Sequence, residues 1–248
     1  MNSNNDATPS SPWRRQRDLQ LGAPHHMAWR LGGNPEGQPW LLLHGGPGSG
    51  ANVGMLAPLD LSRHRAIAPD QRGSGASRPR GSILRNHTAA LVSDLDTLRR
   101  HLGLERWSLL AGSWGTVLAL AYAQAHPQRV TELVLRGIFL VRPWELAWFY
   151  GESDGAGALF PDLYADFAAA IPPAERSEMM DAYYRRLTSD DPVVRSTAAR
   201  AWSIWEGATS YLRLNPDDLK KFEEDAYAET FARIECHYFV NRGFFEED

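Results

Sequence analysis

The sequence predicts an α/β fold, a doubly wound and mainly parallel sheet carrying a helical insertion, on three observations. Short apolar runs alternate with helical patterns through the first 140 residues. Three of those runs end in glycine-containing loops. After Phe139 the strand signals stop, while helical patterns rich in aromatic residues continue to about residue 240. Strands that alternate with helices imply βαβ units, and parallel strands covered on both faces read as continuous apolar runs.

Taken in order, residues 1–12 are polar and rich in Ser and Asn, and are expected to be a disordered tail. Alternation between Trp13 and Gly33, as in His26-Met27-Ala28-Trp29-Arg30-Leu31, predicts an antiparallel strand pair. Trp40-Leu41-Leu42-Leu43 is a buried strand running into His44-Gly45-Gly46-Pro47-Gly48-Ser49-Gly50. That loop lacks the Lys-Ser/Thr ending of a phosphate-binding loop. Arg65–Pro69 is the next strand and ends in Asp70-Gln71-Arg72-Gly73-Ser74-Gly75-Ala76-Ser77. A helix capped by Asn86 carries Leu91, Val92, Leu95, Leu98 and Leu102 on one stripe until Gly103 stops it. Trp107–Ala111 is a strand, the helix after it ends near His126-Pro127, and Val130–Leu135 is a further strand. Beyond it, helices are predicted over Asp162–Ile171, Ala174–Leu187, Pro192–Trp205 and Glu229–Val240. The expected division is a tail over 1–12, a core over 13–140, a helical cap over 141–240, and a return toward the core over 241–248 that is cut short.

Composition narrows the function classes. Hydrophobic residues at 43% and charged residues at 23% are ordinary for a globular chain, and a net charge of −4 gives no reason to expect a nucleic acid partner. No stretch reaches the ~18 apolar residues that span a bilayer, and no apolar signal region opens the chain, so no membrane association is expected. The single cysteine, Cys236, excludes an internal disulfide and fits a cytoplasmic location. Nothing in the sequence calls for a cofactor or a metal.

The chemistry concentrates at Ala111-Gly112-Ser113-Trp114-Gly115, where an apolar strand turns through a serine into a helix. A nucleophile on so sharp a turn needs nearly side-chain-free neighbours two residues away on either side, a demand that Ala111 and Gly115 meet. Ser113 is therefore the candidate nucleophile. An aspartate nucleophile of the dehalogenase or epoxide-hydrolase type is disfavoured by the same position.

With the glycine loop, the Asp70–Ser77 loop and the serine elbow in this order, the sequence resembles the prolyl iminopeptidases, proline-specific aminopeptidases of the α/β-hydrolase class. The resemblance extends through Tyr122–Pro127, Val134–Phe139, Trp202–Gly207 and Phe231–Phe239. It implies an oxyanion hole from the backbone N–H groups of Gly46 and Trp114. It implies two glutamates, Glu206 and Glu235, facing the substrate amine, and Phe139 and Phe239 against the pyrrolidine ring. It also implies peptides with N-terminal proline as partners. Cys236 departs from the family pattern, which has asparagine beside the second glutamate.

In this fold the acid and then the histidine base follow the nucleophile. After His126 the only histidine is His237, placed among cap residues, and His44 precedes the serine. The expectation is that neither is the base, that about six strands precede the cap, and that the 248 residues lack the triad Asp and His and are inactive as they stand. Competing readings are another serine hydrolase of the fold, an esterase or lactonase, and a non-catalytic binding protein that keeps the cap pocket.

Overall fold

The computed structural model describes residues 12–13, 16–210 and 216–245, so most of the expected tail and the last three residues lie outside the described residues. Six strands form one sheet: β1 (Arg17–Gln20), β2 (His26–Gly33), β3 (Gln38–Leu43), β4 (His64–Pro69), β5 (Trp107–Gly112) and β6 (Val130–Arg136). Their order across the sheet is β1-β2-β4-β3-β5-β6. β1 and β2 are the expected antiparallel pair, and β2 also runs antiparallel to β4. From β4 through β3 and β5 to β6 every pairing is parallel.

Two helices follow strands in the first part of the chain, α1 (Thr88–His101) and α2 (Trp114–Ala125). After β6 every described element is helical: α3 (Pro143–Tyr150), α4 (Ala156–Leu159), α5 (Pro161–Ala169), α6 (Met179–Leu187), α7 (Pro192–Thr209), α8 (Pro216–Glu223) and α9 (Asp225–Val240), with short 3₁₀ turns between some of them.

Side-chain period explains why β3 reads as an uninterrupted apolar run. Leu41 and Leu43 point into a large core shared with Leu95 and Leu98 of α1, Val117 and Leu118 of α2, and Trp202, Phe231 and Tyr238 from the later helices. Leu42 points the other way, into a smaller cluster with Leu56, Ala66 and Ala68. Both faces are therefore buried, as in a parallel sheet flanked on both sides. β6 differs: it forms one edge of the sheet among the described residues, with Leu133 38% and Val134 45% exposed.

Several local expectations are corrected. The N-cap of α1 is His87, whose Nδ1 accepts from the Ala90 amide at 3.2 Å. Asn86 is spent elsewhere: its Nδ2 donates to the carbonyls of Arg72 and Ser82, and its Oδ1 accepts from the Tyr238 hydroxyl at 2.7 Å. The span Ala174–Leu187 is not one helix but a 3₁₀ turn over Pro173–Glu178 followed by α6. A proline at its first position fits a turn start, where the missing N–H is no loss. α7 runs on to Thr209, α9 starts four residues early at Asp225, and α3, α4 and α8 lie outside the predicted helices. Gly103, at φ +67, follows the helix end as expected.

The C-terminal ends of β3, β4 and β5 bring the three glycine-containing loops together, the edge where open α/β sheets place their sites. Their spacing is fixed by a backbone contact. A Cβ added to Gly115, at the start of α2, would lie 2.4 Å from the Leu43 carbonyl oxygen of β3. A Cβ on Gly112 would meet nothing closer than 3.7 Å. Gly115→Ala is therefore expected to lower stability by about 1–3 kcal/mol even after the helix-propensity gain of alanine. Gly112→Ala should change it by less than about 0.5 kcal/mol. Urea denaturation midpoints of the two variants check the contrast.

Candidate active site

Ser113 joins β5 to α2 with φ 54° and ψ −130°, a backbone region rarely adopted by residues other than glycine. Strain of this kind persists only where its surroundings over-determine it, and here they do. The Ser113 amide donates to the Arg136 carbonyl of β6 at 3.0 Å. The Ser113 carbonyl accepts from both the amide and the hydroxyl of Thr116, at 2.8 and 2.7 Å. Thr116 Oγ1 also accepts from the Phe139 amide at 3.1 Å, which ties the serine turn to the chain leaving β6.

Gly46 stands across from the serine with φ +100°, and a Cβ there would sit 2.7 Å from the Gly48 amide nitrogen and 2.9 Å from that of Ser49. Only glycine fits. Trp114 is the first residue of α2, so its N–H has no partner within the helix and is free to point outward. Its side chain is fully buried, donating from Nε1 to Gln71 Oε1 at 2.9 Å and packing 4.6 Å from the Tyr238 ring.

The loops around the turn are cross-braced by His44, Gln71 and Asp70. His44 Nε2 accepts from the Gln71 amide at 3.0 Å, so Nδ1 carries the proton and donates to the Gly45 carbonyl at 2.9 Å. Burial lowers the His44 pKa, which keeps the ring neutral in this role. Gln71 Nε2 returns a bond to the His44 carbonyl at 2.9 Å. Asp70, fully buried, accepts from the Ala51 amide at 2.7 Å, the Ala76 amide at 2.9 Å and the Arg30 guanidinium at 3.2 Å. Gly75 is required beside it, since a Cβ would fall 2.4 Å from the carboxylate.

A cavity of about 290 Å³ opens over the serine and gathers Gly46, Ser113, Phe139, Glu206, Glu235 and Phe239, together with Tyr150 and other residues of α3. All the singled-out positions thus line one space except Trp114, whose backbone begins the helix behind it. Phe139 and Phe239 meet edge to face at 5.6 Å. Glu206 from α7 and Glu235 from α9 are both carboxylates in an aromatic setting, and Glu235 is only 2% exposed. Glu235 accepts from Trp202 Nε1 at 2.8 Å, and Glu206 accepts from the Tyr150 hydroxyl. Burial pushes the Glu206 carboxyl up to about 7. Burial and then the neighbouring Glu206 hold Glu235 well above the ordinary carboxylate range. Burial raises the Tyr150 phenol as well, with the two carboxylates adding to it. Such a pair disfavours two negative charges unless a cation enters between them.

Sequence reading singled out the aromatics of the helical region as a group without separating pocket from core. Tyr150 and Trp202, stacked at 4.6 Å, are the two that hold the carboxylates. Trp144, 62% exposed, and Trp148 line the cavity from its outer side. Only a polar partner identifies Tyr150 and Trp202 within so many rings, and partners are not visible in the chain order.

His237 is not near the serine in role. Its Nε2 donates to the Asn86 carbonyl at 2.9 Å and its Nδ1 accepts from the Tyr184 hydroxyl at 3.1 Å, so both ring nitrogens are committed to packing α9 against the core. Cys236 is buried and directs its thiol to the Met180 carbonyl of α6. The departure at this position is thus absorbed between two helices. No helix among the described residues is long and apolar enough to cross a membrane.

Comparison with known proteins shows the family and the fold. A family model described as the alpha/beta hydrolase fold matches residues 38–243. The proline iminopeptidase of Xylella fastidiosa strain Temecula1 is 52% identical over 222 residues, covering 90% of this chain and 70% of that protein. That of Xanthomonas citri is 50% identical over 232 residues, covering 94% and 74%. That of Neisseria gonorrhoeae is 43% identical, covering 93% and 73%. Among solved structures, a probable hydrolytic enzyme from Pseudomonas aeruginosa PAO1 superposes with a TM-score of 0.58 at 19% identity, covering 92% of this chain and 66% of that one, a likeness of fold. A matching fold model over most of its length and relatives at about half identity make the chain a member of the proline iminopeptidase family of α/β-hydrolases.

Proposed function

We propose that the chain recognises peptides with a free N-terminal proline and that Ser113 attacks the carbonyl of that proline to form a prolyl-enzyme. The observation that carries this reading is the single cavity shared by Ser113, Gly46, Glu206, Glu235, Phe139 and Phe239. In it the charged secondary amine is met by the two carboxylates, while the phenylalanines face the ring. The N–H groups of Gly46 and Trp114 take the oxyanion as the tetrahedral intermediate forms, each worth on the order of 3 kcal/mol. The chain divides into a core over 13–140 and a helical cap over 141–240, with the pocket at their junction, and its lone thiol suits a cytoplasmic location.

Paired carboxylates weigh against an esterase or lactonase, because a neutral ester leaves both charges uncompensated. A general base is also required, since a serine hydroxyl at its ordinary pKa is a weak nucleophile. His44 and His237 have their ring nitrogens engaged elsewhere. Turnover by residues 1–248 on their own is therefore expected to be slight.

Three outcomes test the reading. Ser113→Ala should abolish whatever hydrolysis of proline arylamides is observed, with an unchanged circular dichroism spectrum and melting temperature. Retained turnover in that variant would remove the serine from the mechanism. For recognition, Glu206→Gln and Glu235→Gln should each weaken prolinamide binding, measured by calorimetry, about ten- to a hundredfold, the ~1.5–3 kcal/mol of a charge-assisted hydrogen bond. A neutral analogue without the amine should lose much less. Equal losses for both ligands would make the glutamates structural.

The third outcome concerns pH. With its pKa raised from 4.5 to about 7, Glu206 binds more protons in the folded chain than in the unfolded one between those values, so its contribution to stability falls as pH rises through that window. Melting temperature measured from pH 5 to 8 should therefore drop more steeply for the native sequence than for Glu206→Gln. Parallel curves would show that Glu206 is ionised in the folded protein throughout.

A further inference from the structure

A second cavity, of about 260 Å³, lies between the loop after β4 and the helices α7 and α9, and it is lined by Arg80, Arg195, Glu229, Thr230 and Arg233 among others. It is separate from the active-site cavity, with no lining residue in common. On α9, Ala226, Glu229, Thr230 and Arg233 recur at helical spacing on the stripe facing it, while Glu235, two residues on, faces the other cavity.

The three guanidiniums arrive from three different segments, and none forms an ion pair with a carboxylate among the described residues. Arg80 donates from Nε to the Thr230 hydroxyl at 3.0 Å. Arg195 donates from one terminal nitrogen to the carbonyls of Ser189 and Asp190, at 2.8 and 2.9 Å. Arg233 has its Nε buried with no hydrogen-bond partner. Glu229, the acid in the lining, forms no ion pair with any of them among the described residues. Four other partly buried arginines meet carboxylates, Arg30 with Asp70, Arg72 with Asp94, Arg99 with Asp96 and Arg186 with Glu175, while Arg65 shares with Arg233 a buried Nε that has no partner.

Gathering three like charges around one cavity costs free energy unless an anion offsets it, and an orphaned buried donor adds to that cost. Guanidinium groups match the planar or tetrahedral oxygens of carboxylates and phosphates through paired N–H bonds. Three positive charges against one carboxylate leave an excess of two. The volume corresponds to roughly nine water molecules at about 30 Å³ each, room for a small molecule but less than a peptide segment.

We propose that this cavity is a binding site for a small dianion, a phosphate-type or dicarboxylate ligand held by Arg80, Arg195 and Arg233. Its shared chemistry is two closely spaced negative charges, and the two sources are separated by the probes. The test is isothermal titration calorimetry of the 248-residue chain at low ionic strength with inorganic phosphate, pyrophosphate and succinate in turn, repeated on Arg233→Gln, Arg80→Gln and Arg195→Gln. Arg63→Gln, an exposed arginine outside the cavity, is the control for net charge. One-to-one saturable binding of at least one probe is expected, weakened tenfold or more in the cavity variants and unchanged in the control. A preference for pyrophosphate or phosphate over succinate assigns the phosphate class, and the reverse assigns the dicarboxylates. Melting curves of each variant establish folding, and Arg80, whose side chain lies mostly at the surface, keeps the test open if Arg233→Gln destabilises the chain. Absence of saturable binding by all three probes, or equal weakening in Arg63→Gln, overturns the proposal.

Discussion

The approach of α2 to the end of β3 is the constraint on which the site depends. Because Gly115 has no side chain, the first turn of the helix lies against the Leu43 carbonyl, and Ser113 is lifted into the cavity in a backbone conformation that an ordinary turn would not hold. Everything near it is then braced rather than free. The serine carbonyl is tied by Thr116 and its amide by β6, while His44 and Gln71 lock the two neighbouring loops to one another. Backbone N–H groups aimed at one point are useful to catalysis only if they need no rearrangement at the moment of reaction. A dense set of neutral, buried hydrogen bonds supplies that rigidity.

The carboxylate pair works by the opposite principle. Glu206 and Glu235 are placed where ionisation is costly, and in the proposed function the substrate's ammonium relieves that cost. Trp202 and Tyr150 each give one hydrogen bond, enough to orient the carboxylates without neutralising them. In the proposed function, stability and recognition are thus set against each other at the same two side chains. The arginine cavity repeats the arrangement with reversed sign on another stripe of α9, where cations lack their counter-charges.

Much of the frame was legible in the chain. The apolar runs at Trp40–Leu43, Arg65–Pro69 and Trp107–Ala111 mark strands because burial on both faces leaves no polar position to interrupt them. The elbow was legible because a sharp turn restricts which residues can flank it. What sequence could not give are the features decided by a partner distant in the chain. Asn86 looks like a helix cap, yet Tyr238, Arg72 and Ser82 claim its side chain and His87 caps instead. Tyr150 and Trp202 are indistinguishable in sequence from the packing aromatics around them. The glutamates were found only by resemblance, since a helix-surface glutamate and a buried one have the same local pattern.

Near its C-terminal end α9 is fastened to the loop before α1 by His237 and Tyr238 on Asn86, and to α6 by His237 on Tyr184. The clamp sits close to Glu235 and Phe239, so that wall of the pocket behaves as a fixed jaw. The facing wall is the short α3, with Trp144 and Trp148 on its outer side and Tyr150 bonded to Glu206, so the two carboxylates are gripped from both walls of one pocket.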